Sequence, residues 1–453
     1  MAEVRVLERI RVAPAPPTPS AAELPITFFD AAWLFTGPVE RLFFYRHPDP
    51  RSTLPLLASS LPHALRRFFP LAGTLSLAAG HRFAYAHGDA LALVLAESSA
   101  DEDDFDRLVA TGPRDLRKMR ALVPGLPPPR EDGAFEVAAV QATVFPGRGL
   151  CLGVSVHHAA CDDASATLFV RTWAAACRLG GLDGADVPPA PVLDRSLVAD
   201  PDDLLGKTLA GMRVLASGPP PPPPPPAQET EMPAPVIASF PLTRDQIDGI
   251  KDAASEPAGT RPRPSSFVAA SALAWVCLLR SRAVGVDGAA RSHMLFSAEC
   301  RSRLSPPLPA EYFGNCLRPC FVEAATSELT NGDGGVAAAA AAIGSAIREM
   351  ERGVLEGAEG WLGKVLSVLP ERPMSVGGSP RHGVYEGTDF GWGRPCRVEM
   401  VSIEKTPGTV SLAEGPDGEG GVEVEVGVVL PPDAMEAFAS CFRDMVRLSG
   451  KSV

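Results

Sequence analysis

The chain has 453 residues, 45% of them hydrophobic and 21% charged, with a formal net charge of -12 and a pI near 5.3. That length exceeds what one core holds and points to two domains. The acidic balance excludes nucleic acid or an anionic membrane as the main partner, while leaving room for a local basic pocket that takes an anionic ligand.

The first elements read as follows. Val4 to Val12 predicts a strand, followed by a Pro-rich stretch. Leu24-Pro25-Ile26-Thr27-Phe28-Phe29-Asp30 leads into Ala31 to Leu34, and Val39 to Tyr45 predicts a second strand. Leu54, Leu57, Leu61, Leu65 and Phe68 recur at spacings of three and four, so Thr53 to Phe69 reads as an amphipathic helix stopped by Pro70. Short strands follow at 73–77, 81–86 and 90–96, and the acidic run Asp101 to Asp106 reads as a solvated helix start.

Ala134 to Phe145 and Leu150 to Val156 make a hairpin around Phe145-Pro146-Gly147-Arg148-Gly149. The second strand delivers His157 and His158 to a strand-to-helix junction. Asp162 stands four residues after His158, and Ala164 to Cys177 reads as the helix.

Residues 217–234 change character. Pro219 to Pro226 is an unbroken polyproline run, stiff and solvated. A linker between domains fits it better than a ligand for a proline-recognising module. Beyond it come a strand (235–240), a helix (243–253), the apolar helix Phe267 to Arg280 capped by Pro264-Ser265-Ser266, and a strand (292–299). Tyr312-Phe313-Gly314-Asn315-Cys316 precedes an Ala-rich helix over 335–353, whose apolar run is too short to span a bilayer. Strands flank Asp389-Phe390-Gly391-Trp392-Gly393, and the chain ends strand (398–403), strand (409–413), strand (422–430), helix (432–448).

Among the eight histidines, only His157 and His158 end an apolar strand. An exposed imidazole at the end of a rigid strand is what a general base needs. The Asp at i+4 favours His158, and His157 reads as an ordinary loop histidine. HExxH, CxxC and His-rich runs are absent, so a metal site is set aside. No GxGxxG or GxxxxGK[ST] occurs, and Ser155 lies within a strand rather than at a nucleophile elbow. The nine cysteines are scattered without a CxxC pair and the first residues hold no signal-peptide core, so a cytoplasmic protein with reduced thiols is expected.

Taken together, these stretches resemble the plant BAHD acyltransferases. The likeness rests on Leu24 to Asp30 (similar to LPLTFFD), Phe68-Phe69-Pro70-Leu71-Ala72-Gly73 (FPLAG), His158 to Asp162 (HxxxD) and Asp389 to Gly393 (DFGWG), in order over nearly the whole chain. Tyr312 to Cys316 is similar to the YFGNC stretch of the anthocyanin and flavonoid malonyltransferase branch.

This resemblance implies an α/β fold of two chloramphenicol-acetyltransferase-like domains joined by a long crossover loop, with the active-site channel between them. The expected division is 1–216 for the HxxxD domain, 217–234 for the Pro-rich crossover and 235–453 for the DFGWG domain, strands near 375–405 completing the N-terminal sheet. It implies a monomer with no bound cofactor or metal, acyl-CoA as co-substrate and a small phenolic or glycoside acceptor. His158 would act as general base and the Trp392 indole as oxyanion donor. Asp162, paired with Arg301, and Asp389 would support the site structurally. Ser265, Ser266, Arg303 and Gly391 would contact acyl-CoA, with Lys251, Arg261 and Arg263 as further phosphate candidates.

The chain departs from the family twice. Asp163 stands where Gly usually follows the motif Asp, an extra carboxylate that either weakens donor affinity or faces solvent. Cys396 replaces the usual basic residue after DFGWGRP, with Arg397 as the neighbouring charge. Malonyl transfer to a phenolic or flavonoid glycoside is the favoured activity. A malonyl carboxylate wants a cation, and Arg171 is the nearest along the helix after Asp163. The alternatives are a hydroxycinnamoyl transferase acting on an alcohol or polyamine, for which Asp163 is the nearby carboxylate, and a catalytically silent ligand binder.

Overall fold

The structure, a computed structural model, describes residues 4–77, 80–99, 104–216, 233–255, 263–282, 290–416 and 421–449. Of the Pro-rich crossover only Pro233 and Ala234 fall within them, and Arg261 lies outside.

Two large apolar cores form, one on each side of the crossover. In the first, the helix Leu54–Arg67 buries Leu57, Leu61 and Leu65 completely. It packs on the helix Asp163–Leu179, where the Trp173 indole donates to Ser60 Oγ at 3.1 Å. In the second, the helix Ser266–Ser281 is apolar on nearly every face and buries Leu273, Trp275 and Val276. A helix hydrophobic all round must be enclosed on all sides.

The first core rests on a six-stranded sheet in the order Val4–Val12, Leu91–Ser98, Ala138–Phe145, Gly149–His157, Pro38–Arg46, Arg397–Met400. The hairpin has the register of a tight turn, Phe145 opposite Gly149. The second core rests on a seven-stranded sheet ordered Leu317–Ala325, Arg291–Glu299, Met374–Gly377, Thr409–Glu414, Val422–Leu430, Val236–Thr243, Arg114–Asp115. A four-stranded sheet of Ala21–Pro25, Arg82–Ala86, Thr74–Ser76 and Phe135–Glu136 completes the fold. No helix among the described residues is long and apolar enough to cross a membrane.

Two of the boundaries that differ from the sequence reading change the path of the chain. The strand read at 134–145 is two strands, since Phe135–Glu136 joins the four-stranded sheet before Ala138–Phe145 enters the six-stranded one. The strand read at 398–403 ends at Met400 and tightens into the 3₁₀ helix Val401–Lys405.

The halves exchange strands. Arg397–Met400 pairs with Pro38–Arg46, and Arg114–Asp115 pairs with Val236–Thr243. Charged side chains carried inside by this exchange find one another. Arg114 donates to Glu399 at 2.5 Å and to Ser239 at 2.8 Å, and Ser239 donates to Glu399 at 2.7 Å. Arg397 pairs with Glu425, which also accepts from the Tyr385 hydroxyl at 2.6 Å. The Arg397 charge is thereby spent inside the fold, so it does not replace the basic residue that Cys396 displaces.

Arg114 and Glu399 side chains are each only 2% exposed. Removing one member of such a pair strands a buried charge. Arg114→Met should therefore lower the unfolding free energy by about 3–5 kcal/mol, read as a shift of the urea midpoint at constant slope.

Candidate active site

His158 emerges where the Gly149–His157 strand ends. Its ring lies flat on the Trp33 indole, centroids 3.7 Å apart and planes within 4°. Its carbonyl accepts from Asn315 Nδ2 at 2.9 Å. No carboxylate bonds to the ring, and Nδ1 is buried without a partner. Burial lowers the proton affinity of His158, with Asp162 and Asp163 pulling weakly the other way. A histidine so placed stands neutral and ready to accept a proton.

His157 does something else. It is buried against Phe135 (centroids 4.9 Å apart), and its Nδ1 accepts from the Ala159 backbone at 3.2 Å. Burial drops its pKa to about 4. It shapes the turn and presents no base.

Asp162 caps the helix Asp163–Leu179, its Oδ1 accepting from Ser165 N at 3.0 Å. The same carboxylate meets Arg301 at 2.8 Å and accepts from Cys316 N at 3.2 Å. Arg301 also donates to the carbonyls of Tyr312 and Gly314, each at 3.0 Å. The motif carboxylate thus ties the two halves of the chain together.

A second strut was not legible. Asp30 closes a capping box with Thr27, pairs with Arg195 at 2.9 Å and accepts from Asn315 Nδ2 at 3.0 Å. Through Asn315 it reaches the backbone of His158. Gly314 has φ +156, and a Cβ there would lie 2.2 Å from the Arg195 guanidinium, so only glycine lets the two approach. The LPITFFD and YFGNC stretches are thus two sides of one buried cluster. Spacing in sequence gave no sign of it beyond the two motifs being unusual.

Between the cores runs a channel of about 2270 Å³, lined from both halves. His158, Trp33 and Asp163 line it from the first half of the chain, Ser265, Arg303 and His382 from the second. Arg282, Arg303 and Arg372 also face it, with no carboxylate partner among the described residues. Burial and the nearby Arg372 charge both lower the proton affinity of Arg282. An acidic protein has therefore lined this channel with guanidiniums that no carboxylate neutralises, the local basic pocket its net charge left open.

The description "Transferase family" applies to a family model that matches residues 2–445. The chain belongs to the BAHD acyltransferase family. It is 33% identical to a malonyl-coenzyme:anthocyanin 5-O-glucoside-6'''-O-malonyltransferase of Salvia splendens, over 97% of this chain and 94% of that one. It is 32% identical to a coumaroyl-CoA:anthocyanidin 3-O-glucoside-6''-O-coumaroyltransferase of Arabidopsis thaliana, over 98% and 97%. Vinorine synthase shares the fold at a TM-score of 0.70 and 21% identity, with 96% of each chain covered.

In this acyltransferase the DFGWG stretch is structural. Asp389 Oδ1 accepts from Gly391 N at 2.8 Å and Gly393 N at 3.0 Å, and the Asp389 carbonyl accepts from Arg178 at 2.9 Å. Gly391 and Gly393 have φ of +111 and +100, so the turn requires both. Trp392 stacks on Phe390 and stands edge-on to Tyr45 and His47, at 6.2 and 6.3 Å. Tyr45 lies seven residues along its strand from Pro38, which pairs with His157. At ~3.3 Å per residue that is about 23 Å. Neither Trp392 nor Gly391 lines the channel. The structure does not bring the indole to His158, and the oxyanion role fails on distance.

The donor-site candidates divide. Ser265 and Ser266 line the channel, but Ser265 caps its helix and the Ser266 hydroxyl is taken by Glu423. Lys251 pairs with Glu423 and Asp248, and Arg263 with Asp252 and Asp248. Of the three described cations, Arg303 alone has no ion pair among the described residues, its guanidinium reaching the Met350 sulfur. Asp163 neither faces solvent nor stands alone, as described below. Arg171 is outside the channel lining, packed beneath Gly383 and Gly387.

Two outcomes follow. Because burial holds the His158 imidazole neutral, the acid limb of kcat/KM should lie below the ordinary histidine value of 6.5, with activity lost as pH falls through it. Trp392→Phe should cost less than about tenfold in kcat, whereas an oxyanion donor is worth about 100- to 1000-fold. Steady-state kinetics at saturating donor reads both.

Proposed function

We propose that this acyltransferase moves an acyl group, malonyl favoured, from acyl-CoA to a hydroxyl of a phenolic or flavonoid glycoside, with His158 as general base. The observation that carries this reading is the His158 imidazole, stacked on Trp33 and set into the wall of a channel both halves share. A channel lined from both sides holds two reactants together, which replaces a bimolecular encounter by a positioned one.

The chemistry needs no covalent enzyme intermediate. His158 accepts the acceptor hydroxyl proton as the oxygen attacks the thioester carbonyl. The tetrahedral adduct collapses, the C–S bond breaks, and the imidazolium returns the proton to the departing CoA sulfur. The unpaired channel arginines favour an anionic donor such as a CoA ester. The two relatives carry different acyl groups at nearly equal identity, so identity does not choose the donor. The YFGNC stretch favours malonyl. A polyamine acceptor is disfavoured, because Asp163, the carboxylate it would need, is already committed to two cations.

We also infer an N-terminal domain over 1–216, a crossover over 217–234 and a C-terminal domain over 235–453, in a cytoplasmic monomer.

His158→Ala should lower kcat by about 100- to 10,000-fold, the usual worth of a positioned base. Activity unchanged by it removes this mechanism and leaves the ligand-binder reading. Competition among malonyl-, acetyl- and coumaroyl-CoA with a flavonoid glucoside reads the donor, and strong preference for coumaroyl-CoA overturns malonyl.

A further inference from the structure

Asp163 opens the helix that follows the His158 turn, and its carboxylate is enclosed. Arg41, from the Pro38–Arg46 strand, meets Oδ1 at 2.7 Å and Oδ2 at 3.0 Å. His382, from the loop after Met374–Gly377, donates from Nδ1 to Oδ2 at 2.5 Å. The three side chains are 10%, 15% and 18% exposed for Arg41, Asp163 and His382. Asp163 and His382 line the channel beside His158. His382 Nε2 has no partner among the described residues, so the ring is fixed at one nitrogen and open at the other.

The charges around His382 do not cancel. Asp163 is one carboxylate against Arg41 and an imidazolium. Asp162 is matched by Arg301. Glu414 reaches the group from the Thr409–Glu414 strand as a second carboxylate, its Oε1 accepting from the Tyr385 N–H at 2.7 Å and its Oε2 buried without a partner, with burial raising its pKa. Arg381, on the same loop, is exposed and adds positive charge at the channel. Asp163 and Glu414 offset Arg41 and the His382 imidazolium, so Arg381 supplies the net positive charge at the channel.

We propose that His382, oriented by Asp163, receives the free carboxylate of the donor's acyl group through its Nε2–H and so selects malonyl over an uncharged acyl chain. This inference rests on the malonyl reading above and names the cation that reading requires. Position favours the acyl end of the donor over its phosphates. Asp163 lies five residues past the base on the same turn, and a malonyl carboxylate is separated from the thioester carbonyl by a single methylene. A charge-assisted hydrogen bond there discriminates strongly because acetyl, the same acyl group without the carboxylate, leaves Nε2–H unmet. A glycine at 163, which the family resemblance leads one to expect, could not hold the ring.

Burial alone would lower the proton affinity of His382, but Asp163 more than reverses this and raises it. The imidazolium therefore persists to higher pH than that of an ordinary histidine and is lost as pH rises through the raised value. Selection for malonyl should be full on the acid side and fade on the alkaline side.

The test is the ratio of kcat/KM for malonyl-CoA to that for acetyl-CoA, with one flavonoid glucoside, across pH. Assaying both donors on one preparation cancels any misfolded fraction. The wild-type ratio should exceed one and fall as pH rises. In His382→Gln it should drop about 10- to 100-fold and lose its pH dependence. In Asp163→Asn the fall should move to lower pH. Equal loss of both donors in His382→Gln, including complete loss, overturns this inference and leaves the malonyl reading standing. A wild-type enzyme indifferent to the malonyl carboxylate overturns both.

Discussion

The ion pair between Asp162 and Arg301 is the constraint on which the site depends. Its two residues come from opposite halves, 139 positions apart, and both side chains are at most 4% exposed. Isolated charges would not survive such burial. Here every exposed valence is met: Asp162 takes a helix N-terminus and the Cys316 N–H, while Arg301 takes two carbonyls and Ser165 Oγ. Desolvation makes the pair a weak source of net stability. Its effect is geometric, since satisfying all of these partners at once admits one arrangement of the turn that carries His158.

The Asp30 cluster repeats the device on the other side of the same turn. Asp30, Arg195 and Asn315 join an N-terminal helix, a segment near the crossover and the YFGNC stretch. Tyr312 lies between the two struts, its ring 5.6 Å from the Arg195 guanidinium and 5.8 Å from that of Arg301. His158 is therefore held at its backbone by Asn315, which Asp30 anchors, and at its ring by Trp33. A base held in this way needs no carboxylate behind it, and burial supplies the neutral form that proton abstraction requires.

Charge in the channel is sorted by pairing. Three of its carboxylates are committed: Asp162 to Arg301, Asp163 to Arg41 and His382, Glu423 to Lys251 and Ser266. Arg282, Arg303 and Arg372, also in its lining, have no carboxylate partner among the described residues. The overall charge of -12 thus describes the outer surface of the protein, and the channel has the opposite character.

Sequence alone determined what is local or periodic. The hairpin that delivers His158, the amphipathic helix with Leu57, Leu61 and Leu65, and the apolar helix after Ser265 follow from patterns a few residues long. The motifs identified the family and named His158, and through the family the strut from Asp162 to Arg301. Tertiary structure decided whatever depends on how distant strands meet. Trp392 looked catalytic because its motif is unusual, yet the strand exchange that places Arg397–Met400 beside Pro38–Arg46 leaves the indole at the end remote from the base. Arg397 looked available and is buried with Glu425. Asp163 looked like a lone anomaly, because its partner His382 is 219 residues away and neither residue carries a periodic signal. Sidedness and pairing over such separations are set by sheet order, which no short window of sequence contains.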